Sequence, residues 1–349
     1  GHFNISGTGI IGTSFGIGTS TVSSTLTVQS VAGVNPFNIV SSTGDSLFRV
    51  LTNGNVGIGT STPTEKLSVV GNISNVIGVS TTFSQVGVTS TGAAPTAMAV
   101  SGRYAYVANF TSNTLSVVDV SDPTAPKQVS TTSVGFVPST FDGGGLLSIA
   151  VSGRYAYIGS NAFVTSSGDV VVSSGTISVV DISNPALPRV VATTSAREAD
   201  SLYISGQYLY AITYHKNTFV VYDVSNPLVP VLISERFFTG ILQYPISVFV
   251  SGRYAYLSIQ PDTGGGTIAI MDVSDPYNPI LTATATAYTG SGRDIFVSGR
   301  YAYAVNYSSN TMSVVDIANP AAPTQVASVS VGTNPVSVFI SGRYAYVAN

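Results

Sequence analysis

The chain has no cysteine, no tryptophan and two histidines, and only 8% of its 349 residues are charged. Each shortage excludes something. Without Cys there is no disulfide scaffold and no thiolate metal site. His2 and His215 lie in different segments, so neither a His-based metal cluster nor a Ser-His-Asp triad is expected. Thirteen basic residues stand against sixteen acidic ones, which excludes a basic nucleic-acid-binding surface. No apolar run approaches the roughly 18 residues that span a bilayer, so no membrane span is expected. Disorder is excluded from the other side: 44% of the chain is hydrophobic, and that much apolar surface with so little charge favours a packed core.

What is present is repetition. Ser-Gly-Arg-Tyr-Ala-Tyr begins at Ser101, Ser152, Ser251, Ser298 and Ser341, and a diverged copy, Ser-Gly-Gln-Tyr-Leu-Tyr, begins at Ser205. A second motif follows each copy but the last, as in Val117-Val118-Asp119-Val120-Ser121-Asp122-Pro123. Each repeat reads as four short strands. In the first, strand a is 95–100, Ser101-Gly102 is a tight turn in which Gly tolerates positive φ, strand b is 103–108, strand c is 114–120 and strand d is 127–134. Strand a is apolar on both faces, which requires cover on both sides. Four-stranded units of this length that bury two faces predict an all-β protein, a β-propeller of four-stranded blades with six repeat copies, the last incomplete. Either residues 66–91 supply the missing outer strands, or the chain is a piece of a longer array.

The Ser-Gly-Arg-Tyr-Ala-Tyr-Val-Ala-Asn run at Ser101, followed by Leu115-Ser116-Val117-Val118-Asp119-Val120-Ser121-Asp122-Pro123, resembles the LVIVD repeat of bacterial and archaeal surface-type β-propellers over about residues 83–349. That resemblance implies a propeller fold and a surface setting, without a particular chemistry. Residues 1–75 differ. Gly16-Ile17-Gly18-Thr19 recurs as Gly57-Ile58-Gly59-Thr60, and charges are sparse. The run from Asn55 through Gly71-Asn72-Ile73 resembles the repeat of phage tail-fibre-like stalks, which implies an intertwined, usually trimeric shaft. The expected division is therefore a low-charge β-structured stalk or oligomerisation segment, 1–75, and a propeller, 76–349.

Chemistry-bearing motifs are few. Gly7-Thr8-Gly9-Ile10-Ile11-Gly12 has dinucleotide-loop spacing but no helix pattern follows, so it reads as a β turn. Asp119, Asp181, Asp223, Asp272 and Asp316 read as turn-stabilising carboxylates, and Arg103, Arg154, Arg253, Arg300 and Arg343 as exposed hairpin-end residues that pair with them. The Asp-Gly loops at Asp142 and Asp262 offer oxygens for calcium, the one cofactor considered. Asn4, Asn72, Asn109 and Asn306 stand in N-glycosylation sequons.

Variation is concentrated in the b–c and d–a loops, which share one face of a propeller. Arg197, Glu198, Asp200, His215, Asp262, Arg293 and Asp294 gather there and form the candidate ligand-binding set. Asp200 and Arg293 occupy the same repeat column as Thr96, near where strand a enters the central channel. The expectation is a non-enzymatic extracellular, cell-surface or virion protein, self-associating as a trimer or filament through its N-terminal segment and binding a glycan or protein receptor through the looped face. The alternatives are a surface filament subunit built by strand donation, and a propeller glycan hydrolase or lyase with a carboxylate site at the channel mouth.

Overall fold

The computed structural model describes residues 32–35, 37–70, 84–135, 145–166, 169–196, 198–260, 266–286 and 291–349. The chain divides into two compact units, residues 1–83 and 84–349. Arg197, Asp262, His2, the Asp142 loop, the Gly7–Gly12 turn and the sequons at Asn4 and Asn72 lie outside the described residues.

The first unit holds one sheet of four strands: β1 (Phe37–Val40), β2 (Ser46–Val50), β3 (Val56–Ile58) and β4 (Leu67–Val69). The β1–β2 and β2–β3 pairs are antiparallel, and β3–β4 is parallel. Ile39, Val40, Leu47 and Leu67 remain exposed, the thin core that its composition predicts.

The second unit is a set of repeated antiparallel sheets. Blade 1 is β5 (Pro95–Ser101), β6 (Tyr104–Asn109), β7 (Thr114–Asp119) and β8 (Lys127–Ser133). Blade 2 is β9 (Gly145–Ser152), β10 (Tyr155–Ser166), β11 (Asp169–Asp181) and β12 (Arg189–Ala196). Blade 3 is β13 (Ser201–Ser205), β14 (Tyr208–Thr213), β15 (Thr218–Asp223) and β16 (Val231–Phe237). Blade 4 is β17 (Pro245–Ser251), β18 (Tyr254–Ile259), β19 (Thr267–Asp272) and β20 (Ile280–Thr286). Blade 5 is β21 (Gly292–Ser298), β22 (Tyr301–Asn306), β23 (Thr311–Asp316) and β24 (Thr324–Ser330). Blade 6 has two strands, β25 (Ser337–Ser341) and β26 (Tyr344–Ala348). Leu67–Val69 belongs to the first unit's sheet, and residues 84–91 form no strand, so neither supplies outer strands to blade 6.

The first strands of successive blades are neighbours, in the order β5, β9, β13, β17, β21, β25. Apolar side chains fill the space between blades. Phe219 and Ile212 of blade 3 pack against Val248, Val250 and Leu257 of blade 4. Blade 1 departs from the expectation of two covered faces. Met98 and Val100 stay exposed, whereas their repeat equivalents Val248 and Val250 are buried against the preceding blade.

Register moves the predicted a–b turn by one residue. Ser101 pairs with Tyr104, so Gly102-Arg103 is the two-residue loop. Gly102 has φ +59 and Arg103 does not share the positive φ, the pattern of a type II′ turn with Gly first. This sends Arg103 back over its own hairpin. Its guanidinium sits 5.3 Å from the Tyr104 ring centroid and pairs with Asp119, which also accepts from the Ser121 N–H at 3.0 Å. The same clip joins Arg154 to Asp181, Arg253 to Asp272 and Arg300 to Asp316. In blade 3 Gln207 replaces the Arg, and Asp223 keeps only the turn role, accepting from the Ser225 N–H at 2.8 Å.

Candidate functional site

The strand-a entry column, five residues before each turn serine, comprises Thr96, Leu147, Asp200, Ile246, Arg293 and Val336. Thr96, Asp200, Ile246, Arg293 and Val336 line one cavity of about 710 Å³, together with Tyr307. Leu147, Asp200, Ile246 and Arg293 also line an adjoining cavity of about 220 Å³ with Tyr214. The repeat column is thus the ring of residues around the channel mouth, and Asp200 and Arg293 face both spaces.

Thr96 of the entry column and polar residues of the next column build the wall. Thr96 Oγ1 donates to the Leu146 carbonyl (2.7 Å), and Ser148 Oγ to the Ala199 carbonyl (2.6 Å). Ser201 Oγ accepts from the Val248 N–H at 3.3 Å. Asp294 closes the remaining described junctions. Its Oδ1 accepts from Ser247 Oγ (2.7 Å) and the Ile295 N–H (2.9 Å), and its Oδ2 from Ser337 Oγ (2.8 Å) and the Val338 N–H (3.0 Å). Asp294 therefore ties blades 4, 5 and 6, and its acceptor capacity is occupied by protein. Two columns further in, Tyr203, Phe249, Phe296 and Phe339 meet from blade to blade in tilted and edge-on contacts at centroid distances of 4.7, 4.7 and 5.2 Å. This ladder was not anticipated from the sequence, although it stands two residues before each turn serine.

Glu198 and Asp200 form a carboxyl pair. Glu198 is 1% exposed, in the loop entering β13. Its Oε2 accepts from the His215 N–H at 3.1 Å, and its Oε1 lies 3.3 Å from His215 Nδ1. Asp200 Oδ2 accepts from the Tyr214 N–H at 2.8 Å. Burial pushes the Asp200 carboxyl up to about 7 against the pull of the Tyr214 N–H, and the Glu198 charge and hydrogen bond push the same way. Burial also raises Glu198, while hydrogen bonds from the His215 N–H and from Asp200 hold it down. Burial thus disfavours two charges in this pair.

Two glycines let this loop approach. A Cβ on Gly159 would meet the Ala199 carbonyl oxygen at 2.4 Å, and one on Gly175 would meet Glu198 Cα at 2.8 Å. On the other side Tyr244, at φ +60, packs tilted against Tyr214 with centroids 5.2 Å apart. A tyrosine in that conformation is strained, and such strain clusters at functional sites.

The structure thus brings Glu198, Asp200 and His215 together, places Arg293 on the same cavity as Asp200, and removes Asp294 from the free carboxylates. Tyr214 and Tyr307 were not singled out from the sequence. Among the described residues, no group of three or more His, Asp or Glu is placed to hold a metal ion. Asn109 and Asn306 are fully buried, with Asn109 Nδ2 bonded to Ser116 Oγ (3.0 Å) and Asn306 Nδ2 to Ser313 Oγ (3.1 Å), so the fold hides both sequons.

Comparison with protein families assigns the LVIVD repeat to residues 95–133, 143–165, 170–194, 196–236, 245–286, 289–331 and 334–349. No match was found among curated proteins. Several solved structures share the fold. The periplasmic gluconolactonase PpgL of Pseudomonas aeruginosa superposes with a TM-score of 0.56 at 16% identity, covering 73% of each chain. A Bacteroides fragilis protein provisionally assigned as a 6-phosphogluconolactonase gives 0.55 at 13% identity, covering 72% of each. A Desulfotomaculum acetoxidans protein of unknown function gives 0.54 at 14%, covering 70% of this chain and 74% of that one. These likenesses overturn the expectation of a non-enzymatic adhesin or filament subunit, because the neighbours include lactonase-type enzymes on the same frame. The expectation failed for a physical reason. It rested on a stalk-like first segment and a propeller with no recognisable catalytic motif, whereas the path of a loop brings the buried Glu198 and the cavity-lining Asp200 to one place.

Proposed function

The chain belongs to the LVIVD-repeat family, and from that propeller frame we propose that the channel mouth is a hydrolytic site for a small sugar-derived ester such as a lactone. The observation that carries this reading is the Asp200 carboxyl, which opens on the channel cavity, accepts from the Tyr214 N–H and stands by the buried Glu198. A carboxyl that titrates near neutrality is matched to general acid–base work. Asp200 as carboxylate takes the proton from water as its oxygen bonds to the carbonyl carbon. The ring C–O bond then breaks, and Asp200 returns the proton to the leaving oxygen. Glu198 is a positioning residue: it holds Asp200 and the His215 backbone and keeps the Asp200 proton affinity high. The lactonase names of two structural neighbours support the substrate class. The periplasmic setting of one supports a place outside the cytoplasm. The exposed apolar residues of the β1–β4 sheet support self-association through the first unit.

The test is hydrolysis of an aldonolactone and glycan panel by the full chain between pH 5 and 8. Asp200→Asn is expected to lower kcat roughly 10²–10⁴-fold with the fold intact. Glu198→Gln, which removes the charge raising Asp200, shifts the activating limb of the pH profile to lower pH. Absence of turnover across the panel overturns the proposal.

A further inference from the structure

We infer that the ligand of the channel mouth carries an anionic oxygen group, a carboxylate or phosphate, which Arg293 receives. This rests on the reading of that cavity as the substrate site. Arg103, Arg154, Arg253 and Arg300 are each neutralised by a strand-c aspartate. Arg293 is different. It is half-buried in the cavity wall, and among the described residues it has no ion pair. Its Nε is buried without a hydrogen-bond partner. Its guanidinium lies 4.8 Å from the Tyr307 ring centroid, which fixes the plane of the donor fork.

The other carboxyls on that cavity do not supply the missing counter-charge. Asp294 is saturated by four donors from blades 4, 5 and 6. Asp200 is engaged by the Tyr214 N–H, and burial raises its affinity for a proton. The remaining members of the entry ring, Thr96, Leu147, Ile246 and Val336, are uncharged. A partly desolvated cation with no partner is costly, and a two-oxygen anion meets its planar fork. A cavity of about 710 Å³ accommodates a small ligand bearing that group.

Calorimetric titration of the full-length Asp200→Asn protein tests this apart from turnover. The probes are glucose, gluconate, glucose 6-phosphate and inorganic phosphate. The expected result is that at least one anionic sugar binds ten-fold or more tightly than glucose, gluconate alone marking a carboxylate site and glucose 6-phosphate a phosphate site. Adding Arg293→Gln removes the preference at an unchanged melting temperature, and Arg293→Lys restores part of it. Equal binding of glucose and both anionic sugars overturns the inference, as does a preference that survives Arg293→Gln. Anion preference through Arg293 without lactone turnover leaves this inference standing and removes the hydrolase reading. Turnover of a neutral lactone with no anion preference does the reverse.

Discussion

Asp200 and Asp294 look alike in the sequence: each lies beside strand a of its repeat, among charges outside the repeat motif. They differ by one column. Asp200 stands five residues before its turn serine and Asp294 four, and the irregular register between Gly292 and Asp294 separates the two columns in direction. One carboxyl lines the cavity and accepts from a single backbone N–H, and the other is fixed by four donors. Asp294→Ala should therefore act on stability. It leaves donors of three blades without their acceptor, a loss on the order of 2–4 kcal/mol read as a lower urea midpoint, with Asp294→Asn intermediate because one acceptor oxygen remains. The entry column itself was legible from the repeat, and with it Asp200 and Arg293. What the repeat did not reveal was which neighbours saturate each group. The approach of Glu198 to the His215 N–H depends on the path of a loop, which the repeat does not encode.

At the scale of the element, the strands were readable because the Gly turn and the motif around it recur six times, with single-residue shifts such as Gly102-Arg103 for Ser101-Gly102 and one larger miss, the stretch 161–175, expected as a loop, where β10 and β11 extend. Position within the ring was less readable. The repeat treats strand a of every blade alike, yet Met98 is exposed and Val248 buried, because cover comes from the preceding blade. The loop before β13 shows how one element shapes another. Gly159 of β10 and Gly175 of β11 lie directly under Ala199 and Glu198. Gly175→Ala should lift the loop, since the new Cβ would otherwise sit 2.8 Å from Glu198 Cα and 2.3 Å from the Ser160 carbonyl oxygen. Lifting admits water to the carboxyl pair and weakens the burial that raises Asp200. The expected outcome is an activating limb of the pH–rate profile displaced to lower pH, with reduced kcat. An unchanged profile would show that the loop does not depend on this approach.

Across the whole molecule, two sets of carboxyls work in opposite directions on stability. Asp119, Asp181, Asp272 and Asp316 are held below the usual carboxylate range, first by their Arg partners and then by turn hydrogen bonds. Their native forms bind fewer protons than the unfolded chain, so their contribution is present above the unfolded value near 3.8 and is lost as pH falls through their lower native values. Asp200 has the reverse sign. Its native value of about 7 lies above the unfolded 3.8, so between those values the native state binds the extra proton, and stability declines as pH rises through 7. Together they predict a melting temperature that peaks at about pH 4 and falls on both sides, the decline on the neutral side running to about pH 7. The two limbs separate genetically. Asp200→Asn should raise the melting temperature at pH 8 by several degrees and flatten the neutral-side decline, leaving the acid limb in place. Arg253→Gln should do the complement, weakening the acid limb at Asp272 and leaving the neutral decline untouched. A protein whose stability is flat from pH 4 to 8, with Asp200→Asn indistinguishable from the parent, would mean that Asp200 ionises freely at the channel mouth. The acid–base chemistry proposed there would then lose its proton holder.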